Sequence, residues 1–202
     1  MSYSLSGGPA RNHYYDKTFD LPAWKILPGE YHVTCRDEVV VTVLGSCVSA
    51  CVRDRTNGMG GMNHFMLPEQ GSADTAWGQS TRFGVNAMEV LLNELAKLGA
   101  SRMSLEAKVF GGGAVMTGVG GGQVGKRNAE FVLRFMKTEG ISVVAEDLLD
   151  IYPRKVYFFP RTGRVLVKKL RHMHNDTLMR REQEYSERLS HQPVSGEIEL
   201  FG

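Results

Sequence analysis

Val39-Val40-Val41-Thr42-Val43-Leu44-Gly45-Ser46-Cys47-Val48-Ser49-Ala50-Cys51-Val52 decides the fold. β-Branched side chains fill this stretch, and such residues suit the pleated, half-buried surface of a strand. The polar cluster Cys35-Arg36-Asp37-Glu38 separates it from a shorter strand-like run at Glu30 to Thr34. Downstream, Asp54-Arg55-Thr56-Asn57-Gly58 has the chemistry of a turn and leads into Met59 to Leu67. The spacing predicts a hairpin that carries His64 back towards Cys47. A thiol and an imidazole on neighbouring strands form a nucleophile and base pair.

Further along, Val85, Met88, Leu91, Leu92, Leu95 and Leu98 recur at helical spacing within Thr81 to Leu98, and Gly99 supplies the stop. Leu105 to Phe110 reads as a strand, followed by a glycine-rich loop. Asn128 to Thr138 then sets Phe131, Val132, Phe135 and Met136 on one helical face ahead of Gly140. Ile141 to Ala145, Lys155 to Phe159 and Arg164 to Leu170 read as one more strand and a closing hairpin. Helices and strands alternate, yet hairpins stand at both ends. The expected fold is therefore α/β of the α+β kind, a layered sandwich of mixed, largely antiparallel sheet with packed helices, rather than a doubly wound parallel sheet. Residues 1–20 are polar and lack an apolar period, so they read as a flexible arm. Residues 21–171 read as a single domain and residues 172–202 as a partly helical C-terminal extension. In that extension Leu178, Met179, Glu182, Tyr185 and Leu189 have loose helical spacing, which suits docking on the domain or on a partner.

The chain has 202 residues, enough to bury a sizeable core, and a formal net charge of +2. That charge is too mild to imply nucleic acid. Three cysteines, with no hydrophobic leader and no apolar run of spanning length, point to free thiols in a reducing compartment, the cytoplasm, without membrane insertion.

Gly45, just before Ser46 and Cys47, permits a close approach of substrate, and the backbone N–H of Cys47 is placed to serve as an oxyanion donor. An ordinary thiol is mostly protonated at neutral pH, and an adjacent imidazole takes that proton. The competing readings are a buried small hydrophobe for Cys47 and a hydrogen-bonded structural histidine for His64. Gly120-Gly121-Gly122-Gln123-Val124-Gly125-Lys126-Arg127 nearly satisfies a phosphate-loop pattern, but Arg127 stands where a hydroxyl should hold magnesium. It reads instead as a structural or substrate-facing loop. Cys47-x-x-x-Cys51 lacks a second cysteine pair for zinc, so Cys51 reads as core, as does Cys35, a turn residue without an evident partner. His172-Met173-His174 reads as solvated tail. Arg161, Arg164, Lys168, Lys169 and Arg171 form either a solvated hairpin face or a surface for an acidic partner. No metal or organic cofactor is expected.

Four ordered motifs, Leu44-Gly45-Ser46-Cys47-Val48, Gly61-Met62-Asn63-His64-Phe65-Met66-Leu67-Pro68, Glu106-Ala107-Lys108-Val109-Phe110-Gly111-Gly112 and Gly125-Lys126-Arg127-Asn128, resemble the chemoreceptor glutamine deamidase family CheD. The resemblance covers about Lys25 to Arg171. It implies a fold similar to the toxin-type cysteine glutaminases and an enzyme that hydrolyses particular Gln side chains of methyl-accepting chemotaxis receptors to Glu. By that match Cys47 is the nucleophile and His64 the general base and acid, with Gly45 and Ser46 in the oxyanion or substrate loop. A thioester mechanism of this kind also cleaves glutamyl methyl esters. The family's third member is a Thr upstream of the Cys, often with an extra residue between it and Gly-Ser-Cys. Thr42 is the candidate here. Counted without a gap, Val41 takes that place, and alternation along the strand turns Thr42 away from His64 unless a bulge restores it. An ordinary strand threonine is the competing reading. The alternative function, from a different class, is a non-catalytic adaptor that binds a CheC-type phosphatase or a receptor through the same cleft.

Overall fold

The computed structural model describes residues 8–68, 76–115, 121–170 and 176–191. In chain order the strands are β1 (Asn12–Asp16), β2 (Leu21–Lys25), β3 (Tyr31–Thr34), β4 (Val39–Leu44), β5 (Val48–Asp54), β6 (Gly60–Asn63), β7 (Leu105–Gly111), β8 (Ser142–Leu148), β9 (Arg154–Phe159) and β10 (Arg164–Lys169). The helices are α1 (Ala76–Lys97), α2 (Gly121–Thr138) and α3 (Asp176–His191). Two five-stranded sheets result, ordered β1-β2-β4-β9-β10 and β3-β6-β5-β7-β8. Neighbouring strands run antiparallel except in the pairs β2–β4 and β7–β8. The expectation of a mixed, largely antiparallel sandwich with packed helices holds.

Side-chain alternation builds the layers. On β5, Val48, Ala50 and Val52 face α1 and α2 and join Met88, Leu91, Leu95, Phe131 and Val132 in one core. Cys51, one step out of phase, faces the other sheet and joins Val40, Leu44, Met62, Val156 and Phe158 in a second core between the sheets. The order of layers is thus helices, sheet, sheet.

Three expectations change. The stretch Val39 to Val52 is not one run of strand: it breaks at Gly45 to Cys47 and crosses between sheets, β4 in one and β5 in the other. The arm expected over 1–20 carries a strand, because Asn12 to Asp16 pairs in register with Leu21 to Lys25 and Phe19 packs edge-on against Tyr157 and Phe159. Residues 1–7 lie outside the described residues. Finally, α2 starts at Gly121 and not at Asn128. Its glycines are there for contact, since a Cβ on Gly125 would strike the backbone carbonyl of Gly112.

Leu91 is fully buried between α1 and the sheet, whereas Met103 is 91% exposed. Leu91→Ala is expected to lower the unfolding free energy by about 2–5 kcal/mol through lost transfer energy and a residual cavity. Met103→Ala is expected to stay within about 0.5 kcal/mol, both read by urea denaturation.

Candidate active site

The break at Gly45 to Cys47 is the local structure from which the site grows. Each of its carbonyls is tied down from behind. Gly113 N–H donates to Gly45 O at 2.8 Å, Asn128 Nδ2 to Ser46 O at 2.9 Å, and Gly112 N–H to Cys47 O at 2.8 Å. With the carbonyls held there, the three N–H groups turn to the opposite side and converge on one carboxylate, that of Glu182 on α3. Gly45 N and Cys47 N donate to Oε1 at 2.8 and 3.3 Å, and Ser46 N and Oγ donate to Oε2 at 2.8 and 2.7 Å. Successive N–H groups aimed at one point form an anion-binding nest. The approach is close enough to require glycine: a Cβ on Gly45 would sit 2.7 Å from Glu182 Oε2.

His64 arrives from the hairpin. Val48 and Phe65 exchange backbone hydrogen bonds at 2.9 and 3.0 Å as an antiparallel pair, so His64 and Cys47 stand one step to either side of that pair, each on its own strand. Ser49 Oγ and Asn63 Oδ1 add cross-strand bonds to the same corner. Asn128 Oδ1 accepts from Leu67 N at 2.8 Å, so one buried amide clamps the cysteine turn to the end of the histidine strand.

The Cys47 sulfur, a ring nitrogen of His64 and a carboxylate oxygen of Glu182 all lie within 4.8 Å of one another. Thr42 completes the set from behind the ring. Its hydroxyl donates to Ile26 O at 2.9 Å and therefore accepts from His64 Nδ1–H at 2.8 Å. This places the imidazole proton on Nδ1 and leaves Nε2, which is buried with no hydrogen-bond partner among the described residues, as the basic atom. No bulge is needed for this. β4 pairs with β9 in unbroken register, and Val40, Thr42 and Leu44 share the face between the sheets. The parity count fails because Gly45 to Cys47 is a turn, through which strand alternation does not carry.

The site is closed. Cys47 is 0% exposed, His64 2% and Glu182 0%. Burial pushes the Cys47 thiol well above its usual range, and the neighbouring Glu182 carboxylate pushes it further. Burial, and then the charge of Arg181, lowers the His64 imidazole from 6.5 to about 3. In this arrangement the pair is neutral thiol beside neutral imidazole. Cys47, His64 and Glu182 are also ligand types that a cation such as zinc accepts. Both carboxylate oxygens, however, are engaged by N–H and O–H donors, which serve an anion.

Of the residues expected from sequence, Cys47, His64, Thr42, Gly45 and Ser46 are all brought together here. Cys51 is core as expected, whereas Cys35, also expected in the core, is exposed in the turn after β3. In the basic cluster, Lys169 is paired with Asp147 and Asp150 and Arg164 lies over the Phe159 ring. Arg171 and the His172-Met173-His174 tail fall outside the described residues. Two site residues were missed as such. Asn128 stood inside a quoted motif without a role, and Glu182 stood on the α3 stripe, where an acid among the otherwise uncharged positions Leu178, Met179, Tyr185 and Leu189 was the signal.

Fold and site together define a class, an α+β sandwich with a cysteine–histidine centre at the junction of its sheets. The family model described as CheD chemotactic sensory transduction matches residues 66–169. A protein of Herminiimonas arsenicoxydans named "Probable chemoreceptor glutamine deamidase CheD" is 62% identical over 193 residues, 95% of each chain. One of Dechloromonas aromatica named "Probable chemoreceptor glutamine deamidase CheD 1" is 62% identical over 201 residues and the full length of both. A third, of Shewanella oneidensis, is 54% identical over 192 residues. The chain belongs to the CheD family.

The depressed His64 pKa gives a pH test. The unfolded imidazole takes up its proton near 6.5 and the folded one only near 3, so between these values the unfolded state binds more protons and stability falls as pH falls. On going from about pH 7 to about pH 5, the wild type is expected to lose more of its unfolding midpoint than His64→Asn. Equal losses in thermal melts would count against a neutral buried imidazole.

Proposed function

We propose that this chain is a protein-glutamine glutaminase that deamidates Gln side chains of chemoreceptors, with Cys47 as nucleophile, His64 as general base and acid, and Thr42 as the group that orients the imidazole. The observation that carries the reading is the nest of Gly45, Ser46 and Cys47 N–H groups around a side-chain carboxylate beside the Cys47 sulfur. A carboxylate in that seat is what hydrolysis of a Gln amide leaves behind. The names of the relatives support the same substrate, glutamine residues of chemoreceptors.

In the proposed mechanism His64 Nε2 takes the thiol proton and the sulfur adds to the amide carbon, while the nest holds the developing oxyanion. His64 then returns the proton to the departing ammonia. A water deprotonated by His64 hydrolyses the thioester to Glu and frees the thiol. Thr42 fixes the ring tautomer so that Nε2, not Nδ1, faces the sulfur. A glutamyl methyl ester presents the same acyl carbon with a better leaving group, so ester hydrolysis belongs to the proposal. It needs neither metal nor organic cofactor.

No described helix is long and apolar enough to cross a membrane. As location we propose the cytoplasm, as partners the helices of methyl-accepting receptors and a CheC-type phosphatase, and as the catalytic unit the single domain of residues 21–171.

Incubated with a receptor fragment, Cys47→Ala is expected to leave every Gln intact by tandem mass spectrometry, and conversion by this variant would overturn the mechanism. Thr42→Val keeps the side-chain shape but removes the acceptor for Nδ1–H. It is expected to lower kcat by about 10- to 100-fold with little change in KM, as loss of a correctly presented base should.

A further inference from the structure

A thiol that is fully buried cannot meet a side chain of another protein. What covers it is α3. The buried face of that helix is the stripe Leu178, Glu182, Tyr185, Ser186 and Leu189. Leu189 enters the core between the sheets beside Cys47 and Met66, and Tyr185 packs there with it. The Tyr185 ring also lies against Gly29, where a Cβ would stand 3.1 Å from the phenolic oxygen. The hollow next to His64 is bounded on one side by Gly29, Phe65 and Met66 and on the other by Tyr185 and Leu189.

We propose that α3 is a tethered product helix, which occupies the groove that receives a substrate helix and sets Glu182 in the seat of the carboxyl group that deamidation produces. The identity of that seat rests on the glutaminase reading above; the occlusion of Cys47 by α3 does not.

Three features of the contact carry the inference. The first is chemical identity: a Gln side chain hydrolysed by Cys47 ends as a Glu side chain on a peptide, which is what α3 presents. The second is the fit of the donors. Both oxygens of Glu182 receive hydrogen bonds, one from Gly45 and Cys47 and the other from Ser46, and hydrogen bonds to a charged acceptor are the strong kind. The third is the geometry of delivery. The carboxylate comes from the middle of a helix whose apolar neighbours, one turn before and two turns after, anchor it to the domain.

The same contact describes the substrate. A helix that displaces α3 presents its Gln in place of Glu182, an apolar residue one turn earlier, an aromatic or apolar residue one turn later and another apolar residue two turns later. Its amide carbonyl oxygen takes the seat of Oε1 on Gly45 and Cys47 N–H. Its NH2 then faces Ser46, whose hydroxyl rotates to accept. An amide leaves Ser46 N–H without the acceptor that a carboxylate supplies, so product binds this seat better than substrate does. A tethered Glu is therefore a competitor that an incoming helix must outbid, and access to the thiol is gated by release of α3.

The test uses the full chain with single substitutions. Leu189→Asp breaks the anchor of α3 far from the nest, and Glu182→Ala empties the nest. If release exposes the thiol, both variants are expected to alkylate at Cys47 with iodoacetamide about tenfold faster or more than wild type, because a state populated at a few per cent becomes dominant. Cys51 and Cys35 serve as internal references in the same peptide digest, and far-UV circular dichroism verifies folding. Unchanged labelling of Cys47 in folded Leu189→Asp would overturn the occlusion. Glu182→Gln tests the product seat in cis. The amide placed there is expected to be hydrolysed by water through Cys47, releasing ammonia and restoring the wild-type mass, and to persist when Cys47→Ala is added. Persistence of the amide while a receptor fragment is deamidated by the same variant would overturn the seat. Fast labelling of Leu189→Asp without receptor deamidation would instead sustain the occlusion and remove the glutaminase reading, so the two failures are distinguishable.

Discussion

Three consecutive N–H groups aimed at one point are the constraint on which this molecule rests. A backbone does not offer such an array freely, because each peptide unit carries a carbonyl that also needs a partner when buried. Here the carbonyls of Gly45, Ser46 and Cys47 are satisfied by Gly113, Asn128 and Gly112, residues from the loop after β7 and from α2. The helix layer and the sheet are thereby joined through the turn that carries the thiol. The buried Arg154 continues the support, since it pairs with Asp147 and reaches the carbonyls of Gly111 and Leu149, next to the same glycine loop. Loss of Asn128 would reach further than one hydrogen bond, because it removes both a donor to Ser46 O and the acceptor of Leu67 N.

That support explains why a carboxylate can be fully buried at position 182. An ionised carboxylate taken out of water is costly unless it is fully hydrogen-bonded. The nest supplies four donors to its two oxygens, and a helix delivers the side chain to the donors at fixed height. The stability of the closed state is therefore split between a polar contact that reads chemistry and an apolar stripe that reads only shape. Apolar side chains such as Leu178 and Leu189 seat a helix in the groove by shape alone, whereas the nest distinguishes what stands between them.

Much of this was legible in the sequence, and the rest was hidden for physical reasons. The hairpin that returns His64 to Cys47 follows from a turn between two strand-like runs, and local chemistry determines it. The face on which Thr42 lies could not be counted from Cys47, because Gly45 and Ser46 break the strand and alternation restarts on the far side. The start of α2 was misplaced because Gly121, Gly122 and Gly125 look like a loop to any propensity rule. Position 125 accepts only glycine because Gly112 and Gly113 press against its backbone, a tertiary requirement that stands against glycine's low helix preference. Glu182 was visible as a residue on an amphipathic stripe, but its role depends on a surface more than 130 residues away along the chain. No periodicity records what a helix face docks against.

The closed arrangement also bears on how the sulfur would become nucleophilic in the proposed mechanism. In it, burial and the Glu182 carboxylate hold the thiol protonated, while burial and the Arg181 charge hold the imidazole neutral. Each of these influences is supplied in whole or in part by α3. When that helix leaves, the negative charge beside the sulfur goes with it, which favours the thiolate. The positive charge near the ring goes as well, and water returns some solvation, both of which favour the imidazolium. The two affinities move towards each other, so transfer of the proton from Sγ to Nε2 becomes easier in the same event that opens the groove. A substrate amide is neutral and brings back neither charge when it takes the vacated place. Thr42 does not move with α3, since its partners are Ile26 O and the His64 ring. It leaves Nε2 as the basic atom of the ring. On the proposed reading, uncovering the thiol and activating it are thus one step, driven by the competition between two helices for the same three backbone donors.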